Sequence, residues 1–343
     1  MHEPLITPVP GSAGIDFLYP GAGGVGMGGS GSVAETLLRS GMSINSLRPN
    51  TVLRKDEWIM FDRTVIETSR RRMNLTADLL GRGLSFNVPN ALGVSRIEWQ
   101  MSTHMEGAHV DMSGITPGRE DRIEFSLIGL PLPIIHKEFR LNIRVLEMSR
   151  RMGTPLDTME VAQATRLVSE TIEGMILTGW PVAYGGMSIY GLLNAPNRNT
   201  GTLTGQWSLI GTTGATIVAD VMAMIAQAQA DFMYGPYQLY IPLAYDNKLN
   251  EDYKAESDMT IRQRILQIPS IAGIQPTEFM ANHNVILVQL TSDVIDIVNG
   301  FGPTLLQWES HGGMLFHFKV MAIMVPRVKW DALLRSGIVH YTG

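Results

Sequence analysis

Residues 157–178 form one continuous amphipathic pattern, and a helix of that length sets the scale of any fold this chain can adopt. Val161, Ala164, Thr165, Val168, Ile172, Met175 and Ile176 recur at three- and four-residue spacing, the period of one helix face. Glu160, Gln163, Arg166, Glu170 and Glu173 fall on or near the other side. Asp157 with Glu160 three residues on has the form of a capping box, with Asp in the place of the usual Ser or Thr. Gly179 is the expected stop, and Pro181 closes the element. At 1.5 Å per residue such a helix spans roughly 30 Å, long enough to serve as the spine of a domain.

The segments before the spine differ in character. Gly21-Ala-Gly-Gly-Val-Gly-Met-Gly-Gly-Ser-Gly-Ser32 cannot build a core and predicts a flexible arm, with residues 1–60 as the arm as a whole. Val33–Arg39 is a short apolar–polar segment stopped by Gly41. Residues 61–84 predict a helix capped by Asp62 and running toward Leu80, with Val65, Ile66, Met73, Leu79 and Leu80 as its apolar side. Residues 85–130 are punctuated by Pro89, Gly93, Gly107, Gly114 and Gly118. Val94–Trp99 alternates weakly and Arg122–Ile128 alternates well, with Ile123, Phe125 and Leu127 on one face, so this stretch predicts a long two-stranded excursion. A lone hairpin is only marginally stable in water, so the excursion needs a surface to lie on.

After the spine, residues 184–215 are a Gly-, Asn- and Thr-rich link, and Ala219–Met233 predicts a helix ended by Gly235. Tyr237–Leu243, Val285–Leu290 and Leu315–Val325 are apolar β-type runs, and Thr260–Leu266 predicts a short helix. The fold class is therefore α+β.

Composition narrows the function. Charged residues are 17% and hydrophobic residues 45%, with 35 Gly and 21 Met. About 25% charged is usual, so either this is an ordinary apolar core with many loops or the chain hides faces against neighbours, as obligate assemblies do. A formal net charge of −5 argues against a dedicated nucleic-acid binder, though not against loose containment of DNA. With no cysteine, disulfides and zinc–thiolate sites are excluded. The first residues lack the pattern of a signal peptide, and no apolar run approaches the roughly 18 residues of a membrane helix, so assembly in the cytoplasm is expected.

No catalytic constellation emerges. Gly21-Ala-Gly-Gly-Val-Gly26 matches the dinucleotide fingerprint, but Pro20 precedes it and more glycines follow where a helix should open. His104 and His109 are five apart in a loop, a poor spacing for zinc. Asp293, Asp296 and Glu309 are read as solvated strand and loop ends. Glu98, Trp99, Glu106, Asp111, Arg119 and Arg122 lie on the excursion, where they are candidates for contact between subunits. The basic runs Arg70, Arg71, Arg72 and Arg150, Arg151 are either solvated faces, partners for a neighbour's carboxylates, or weak contacts for packaged DNA. The six tryptophans, scattered out of helical register, are packing or interface anchors. No cofactor, metal site or enzyme activity is expected.

Leu130-Pro-Leu-Pro-Ile-Ile-His-Lys-Glu-Phe139, the run Arg144–Thr158, Glu170–Gly179 and Ile189-Tyr-Gly-Leu-Leu-Asn194, in that order behind a Gly-rich arm and a two-stranded excursion, resemble the Hong Kong 97 fold. That fold is shared by major capsid proteins of tailed bacteriophages and by encapsulin nanocompartments. The resemblance covers roughly residues 60–330. It implies a shell protein with an extended loop at 85–130 that lies across an adjacent subunit. It also implies a peripheral domain formed by 131–189 and 313–343, and an axial domain at 190–312. Its partners would be copies of itself in pentamers and hexamers, together with scaffolding, cement and portal proteins and non-specifically held double-stranded DNA in a virion. An encapsulin-type shell around a cargo enzyme is the alternative. No lysine lies between Lys55 and Lys137, so the covalent cross-link that one branch of the family makes from its loop is not expected.

Overall fold

The computed structural model describes residues 53, 55–103, 105, 107, 110, 112, 122–152, 158–209, 211–254 and 258–343. Residues 1–52 and 54 of the arm, which include the segment 33–39, lie outside the described residues, as do His104, Glu106, His109, Asp111, Arg119 and the expected cap Asp157; residues 55–60, expected in the arm, belong to a helix.

The described chain opens with helix α1 (Lys55–Arg72), a break at Met73, and α2 (Asn74–Gly81). Asp62 therefore sits inside α1 and caps nothing, and the single expected helix is two. Short strand β1 (Ser85–Asn87) precedes the ribbon of β2 (Arg96–Ser102) and β3 (Phe125–Pro131). These two pair antiparallel from Arg96 opposite Pro131 to Ser102 opposite Phe125, as the alternation predicted. Then come β4 (Ile135–Asn142), α3 (Ile143–Met152) and the spine helix α4 (Met159–Thr178). The hairpin β5 (Trp180–Tyr184) and β6 (Met187–Ile189) follows, then β7 (Asn199–Thr202) and α5 (Gly214–Ala230). The rest is β8 (Tyr237–Pro242), α6 (Leu243–Leu249), α7 (Ile261–Leu266), β9 (Ile271–Thr277), β10 (Asn284–Gln289), β11 (Ile295–Ser310), β12 (Leu315–Val328) and β13 (Ile338–Thr342).

Two sheets organise these elements. The first has the order β1-β11-β12-β4, and its helix-facing side carries Phe139 stacked on Phe318 at 5.1 Å, with Phe61 of α1 edge-on to Phe318 at 5.7 Å. The spine packs on α1 and on this sheet, burying Val161, Ala164, Val168, Ile172, Met175 and Ile176. The second sheet has the order β7-β13-β10-β8-β9 and packs against α5 and α7 around Trp207, Tyr237 and Tyr245. Two strands cross the boundaries expected from sequence. Strand β11, placed within 190–312, pairs in the first sheet, and β13, placed within 313–343, pairs in the second.

Two glycines hold the turn after the spine. A Cβ on Gly191 would lie 2.4 Å from the Gly179 nitrogen and 2.6 Å from the Leu177 carbonyl. That closeness lets Leu192 and Leu193 donate their N–H groups to the carbonyls of Ile176 and Leu177 at 2.9 and 2.7 Å, satisfying the spine's C-terminal acceptors. Gly179 itself adopts φ +70, a backbone state glycine takes at little steric cost.

Candidate inter-subunit surfaces

At its foot the ribbon is fastened to the first sheet. Ile97 and Leu130 are buried in the core, and Trp99 packs partly buried against it. The Arg327 guanidinium of β12 lies 4.7 Å from the Phe86 ring and 5.6 Å from the Trp99 ring. Arg327 is held by Asp296 on β11 through two bonds of 2.8 and 2.5 Å, and Lys329 adds a third at 2.7 Å. Asp296 and Arg327 are buried, so Asp296 is not the solvated strand end that its sequence neighbourhood suggested. Burial pushes the Lys329 ammonium below its ordinary range, and Asp296 pulls it back up.

Away from its foot the ribbon turns apolar side chains to solvent. Ile123, Phe125 and Leu127 are exposed on the alternation that made them one face. Glu98 pairs with Arg96 at 3.0 Å on the same strand, and Arg122 is exposed. The basic runs divide. Arg150 donates to both oxygens of Glu57 at 2.9 and 2.8 Å and to Glu147 at 2.8 Å, which holds the start of α1 against α3 and raises the Arg150 pKa. Arg72 lies 3.8 Å from Glu170 and 3.4 Å from Glu278. These two arginines serve carboxylates of their own chain; Arg70, Arg71 and Arg151 are exposed at the surface.

Three buried polar centres went unseen in the sequence. Glu173, expected on the polar side of the spine, is buried. It accepts the N–H groups of Leu75 and Thr76 at 3.1 and 2.8 Å and the Thr76 hydroxyl at 2.6 Å. It thereby caps α2, whose own N-cap, Met73, has no side chain for the task. Burial raises its pKa, and the bonds from Thr76 and Leu75 oppose that rise. Asp220 on α5 accepts the Trp207 indole N–H at 2.9 Å and the Thr204 hydroxyl at 2.5 Å. Tyr240 donates to Asp78 at 3.0 Å while Arg82 donates to Gln238 at 2.9 Å, tying α2 to the second sheet. Only partner identity, invisible to local pattern, distinguishes these groups from surface residues.

Among the described residues, no group of three or more His, Asp and Glu side chains could hold a metal ion, and no helix is long and apolar enough to cross a membrane.

This arrangement of ribbon, spine and two sheets is the Hong Kong 97 fold of viral capsids and encapsulin-like particles. The chain matches the virus-like particle of Pyrococcus furiosus with a TM-score of 0.58 and 18% identity, over 84% of this chain and 98% of that one. It matches the capsid of Myoviridae Phage XM1 with a TM-score of 0.58 and 12% identity, over 73% of this chain and 86% of that one. In sequence it is 25% identical over 287 residues to the Type 1 encapsulin shell protein EncA of Myxococcus xanthus (strain DK1622), covering 81% of this chain and 90% of the relative. Residues 48–341 match the family of unknown function DUF6260, and the chain belongs to that family.

Proposed function

We propose that this chain is a shell subunit that self-assembles into a closed icosahedral particle around double-stranded DNA, as the major capsid protein of a tailed bacteriophage does. The observation that carries this function is the β2–β3 ribbon. It bears a row of exposed apolar side chains, Ile123, Phe125 and Leu127, on an element that is marginal by itself and gains support by lying on a neighbour. Many such contacts repeated by symmetry give strong assembly from weak parts. In this function the first sheet with the spine is the peripheral domain and the second sheet with α5 is the axial domain. The subunits form pentamers and hexamers in the cytoplasm of a host, with scaffolding, cement and portal proteins as further partners. The protein does no chemistry. The exposed residues of the basic runs, Arg70, Arg71 and Arg151, are candidates for contact with phosphate or with a neighbouring subunit.

A second function, an encapsulin-type compartment around a cargo protein, is favoured by the 25% identity to EncA across most of both chains. Isolation of particles from the organism that carries the gene separates the two. Nuclease-resistant double-stranded DNA together with a portal protein supports the capsid. Particles free of DNA that contain one co-purifying enzyme overturn it in favour of the compartment.

A further inference from the structure

The hairpin of β11 and β12 ends in a pair of imidazoles. Trp308 and Ser310 share one face of β11 because strand side chains alternate, and His317 of β12 pairs opposite Trp308 on that face. The indole and the imidazole stack at 5.2 Å with their planes 8° apart, which fixes the His317 ring. At the turn His311 has φ +54, and Gly312 and Gly313 follow at φ +64 and +83. A left-handed residue other than glycine carries a steric cost, and here it brings a second imidazole to the same spot. Ser310 Oγ lies 2.9 Å from His311 Nδ1 and 2.7 Å from His317 Nε2. His311 is exposed and His317 half-buried, so two ring nitrogens converge on one hydroxyl at the edge of solvent.

A hydroxyl carries one proton, so Ser310 donates to one ring only and the other ring must donate to it. A metal ion satisfies both nitrogens at once, because each neutral ring offers it a lone pair. Imidazole nitrogen suits zinc, copper and nickel, whereas magnesium and calcium prefer oxygen. Zinc sits roughly 2.0–2.1 Å from such a nitrogen, and the two rings already meet within hydrogen-bond reach of a single atom. The neighbouring cations leave room for another. Lys319, next along this face of β12, is paired with Glu138 at 2.9 Å. Arg140 lies opposite His317 in β4 but is exposed, so its long side chain can hold the guanidinium in water.

We propose that His311 Nδ1 and His317 Nε2 bind one divalent ion of the zinc, copper and nickel group at the tip of this hairpin. Trp308 holds one ligand ring in place, the left-handed backbone at His311 presents the other, and the Ser310 hydroxyl lies beside the ion. Two protein nitrogens leave the remaining positions to water. The site is therefore open and exchanges its ion with solvent, unlike the closed four-ligand sites that hold a fold together.

The absence of cysteine removes thiolate as a competing ligand. The full-length chain is titrated with zinc by calorimetry, beside His311→Gln, His317→Gln and the control His136→Gln, whose imidazole lies at the far end of β4. His2, His104 and His109 remain in every variant, so differences between the chains report this pair. Zinc binding by the unmodified chain is expected to weaken in each of the first two variants. The loss should be no smaller than the roughly 10–100-fold that removal of an outer-shell partner costs. Copper(II) bound to the unmodified chain and to His136→Gln is expected to show electron paramagnetic coupling to two ring nitrogens, and His311→Gln to lose that coupling. His311→Gln carries the test by itself if His317→Gln, which also breaks the stack on Trp308, unsettles the hairpin. Zinc affinity unchanged in His311→Gln, or no zinc binding by the unmodified chain, overturns the site.

Discussion

Thr76 donates both its backbone N–H and its hydroxyl to one oxygen of Glu173, at 2.8 and 2.6 Å, across 97 residues of sequence. The spine thus supplies the cap that α2 lacks. Glu173→Ala leaves two buried N–H groups and a hydroxyl without this acceptor, and is expected to cost about 3 kcal/mol in urea unfolding. Glu173→Gln keeps an acceptor oxygen and is expected to cost about 1 kcal/mol. The sign with pH differs between the two chains. The folded-state pKa of Glu173 is raised, so its contribution is greatest at acid pH and falls as pH rises through that raised value. The Gln variant loses this dependence, and its cost therefore shrinks toward neutral pH.

Asp296 and Arg327 form a buried pair, and the Arg327 guanidinium lies over the Phe86 ring of β1 and the Trp99 ring at the ribbon's foot. Removing Arg327 leaves the buried Asp296 with Lys329 as its remaining ion-pair partner. Arg327→Met is expected to destabilise the subunit by about 2–3 kcal/mol. The double variant Arg327→Met, Asp296→Leu is expected to recover much of that loss, because no lone charge then remains except Lys329. Equilibrium unfolding of the unmodified chain, Arg327→Met, Asp296→Leu and the double variant, arranged as a cycle, measures the coupling.

His340 is buried between Arg198, which donates to its Nδ1 at 3.3 Å, and the Asn284 side-chain oxygen at 2.9 Å from its Nε2. Burial, and then the nearby Arg198 charge, lower its pKa to about 4. The unfolded chain takes up this proton first, so stability is lost as pH falls from about 6.5 toward 4, on the order of 2 kcal/mol from this group. Asp62, pushed up to about 6 by burial, acts with the opposite sign over the same window. The comparison is therefore between unmodified protein and His340→Gln. Thermal unfolding at pH 7 and pH 4.5 is expected to show a smaller acid-side loss in the variant.

Gly191→Ala places a methyl group 2.6 Å from the Leu177 carbonyl and 2.4 Å from the Gly179 nitrogen. The backbone must separate, and the bonds from Leu192 and Leu193 weaken. A loss of about 3 kcal/mol or more in unfolding is expected, where Ala at the exposed Gly81, with nothing near its Cβ, is expected to change stability by less than about 1 kcal/mol.

Legibility followed periodicity. The spine was readable because its seven apolar positions repeat at helical spacing and all are buried. The ribbon's second strand was readable from Ile123, Phe125 and Leu127. Strand β11 was not, because Gly300, Gly302 and Pro303 interrupt it; the structure absorbs them as register shifts between Asn299 and Thr304 while the strand continues to Ser310. The break at Met73 was hidden because no Gly or Pro marks it. The carboxylate that caps the restarted helix, Glu173, lies on another helix. Burial of Asp296 and Glu173 was invisible for the same reason, since a charged residue announces solvent until its partner is known.

Electron microscopy of the purified full-length chain tests the central claim most directly. Closed shells of defined diameter, built from rings of five and six subunits, are the expected image. A uniform population of free monomers at concentrations well above micromolar, with the ribbon's apolar row still open to water, contradicts it.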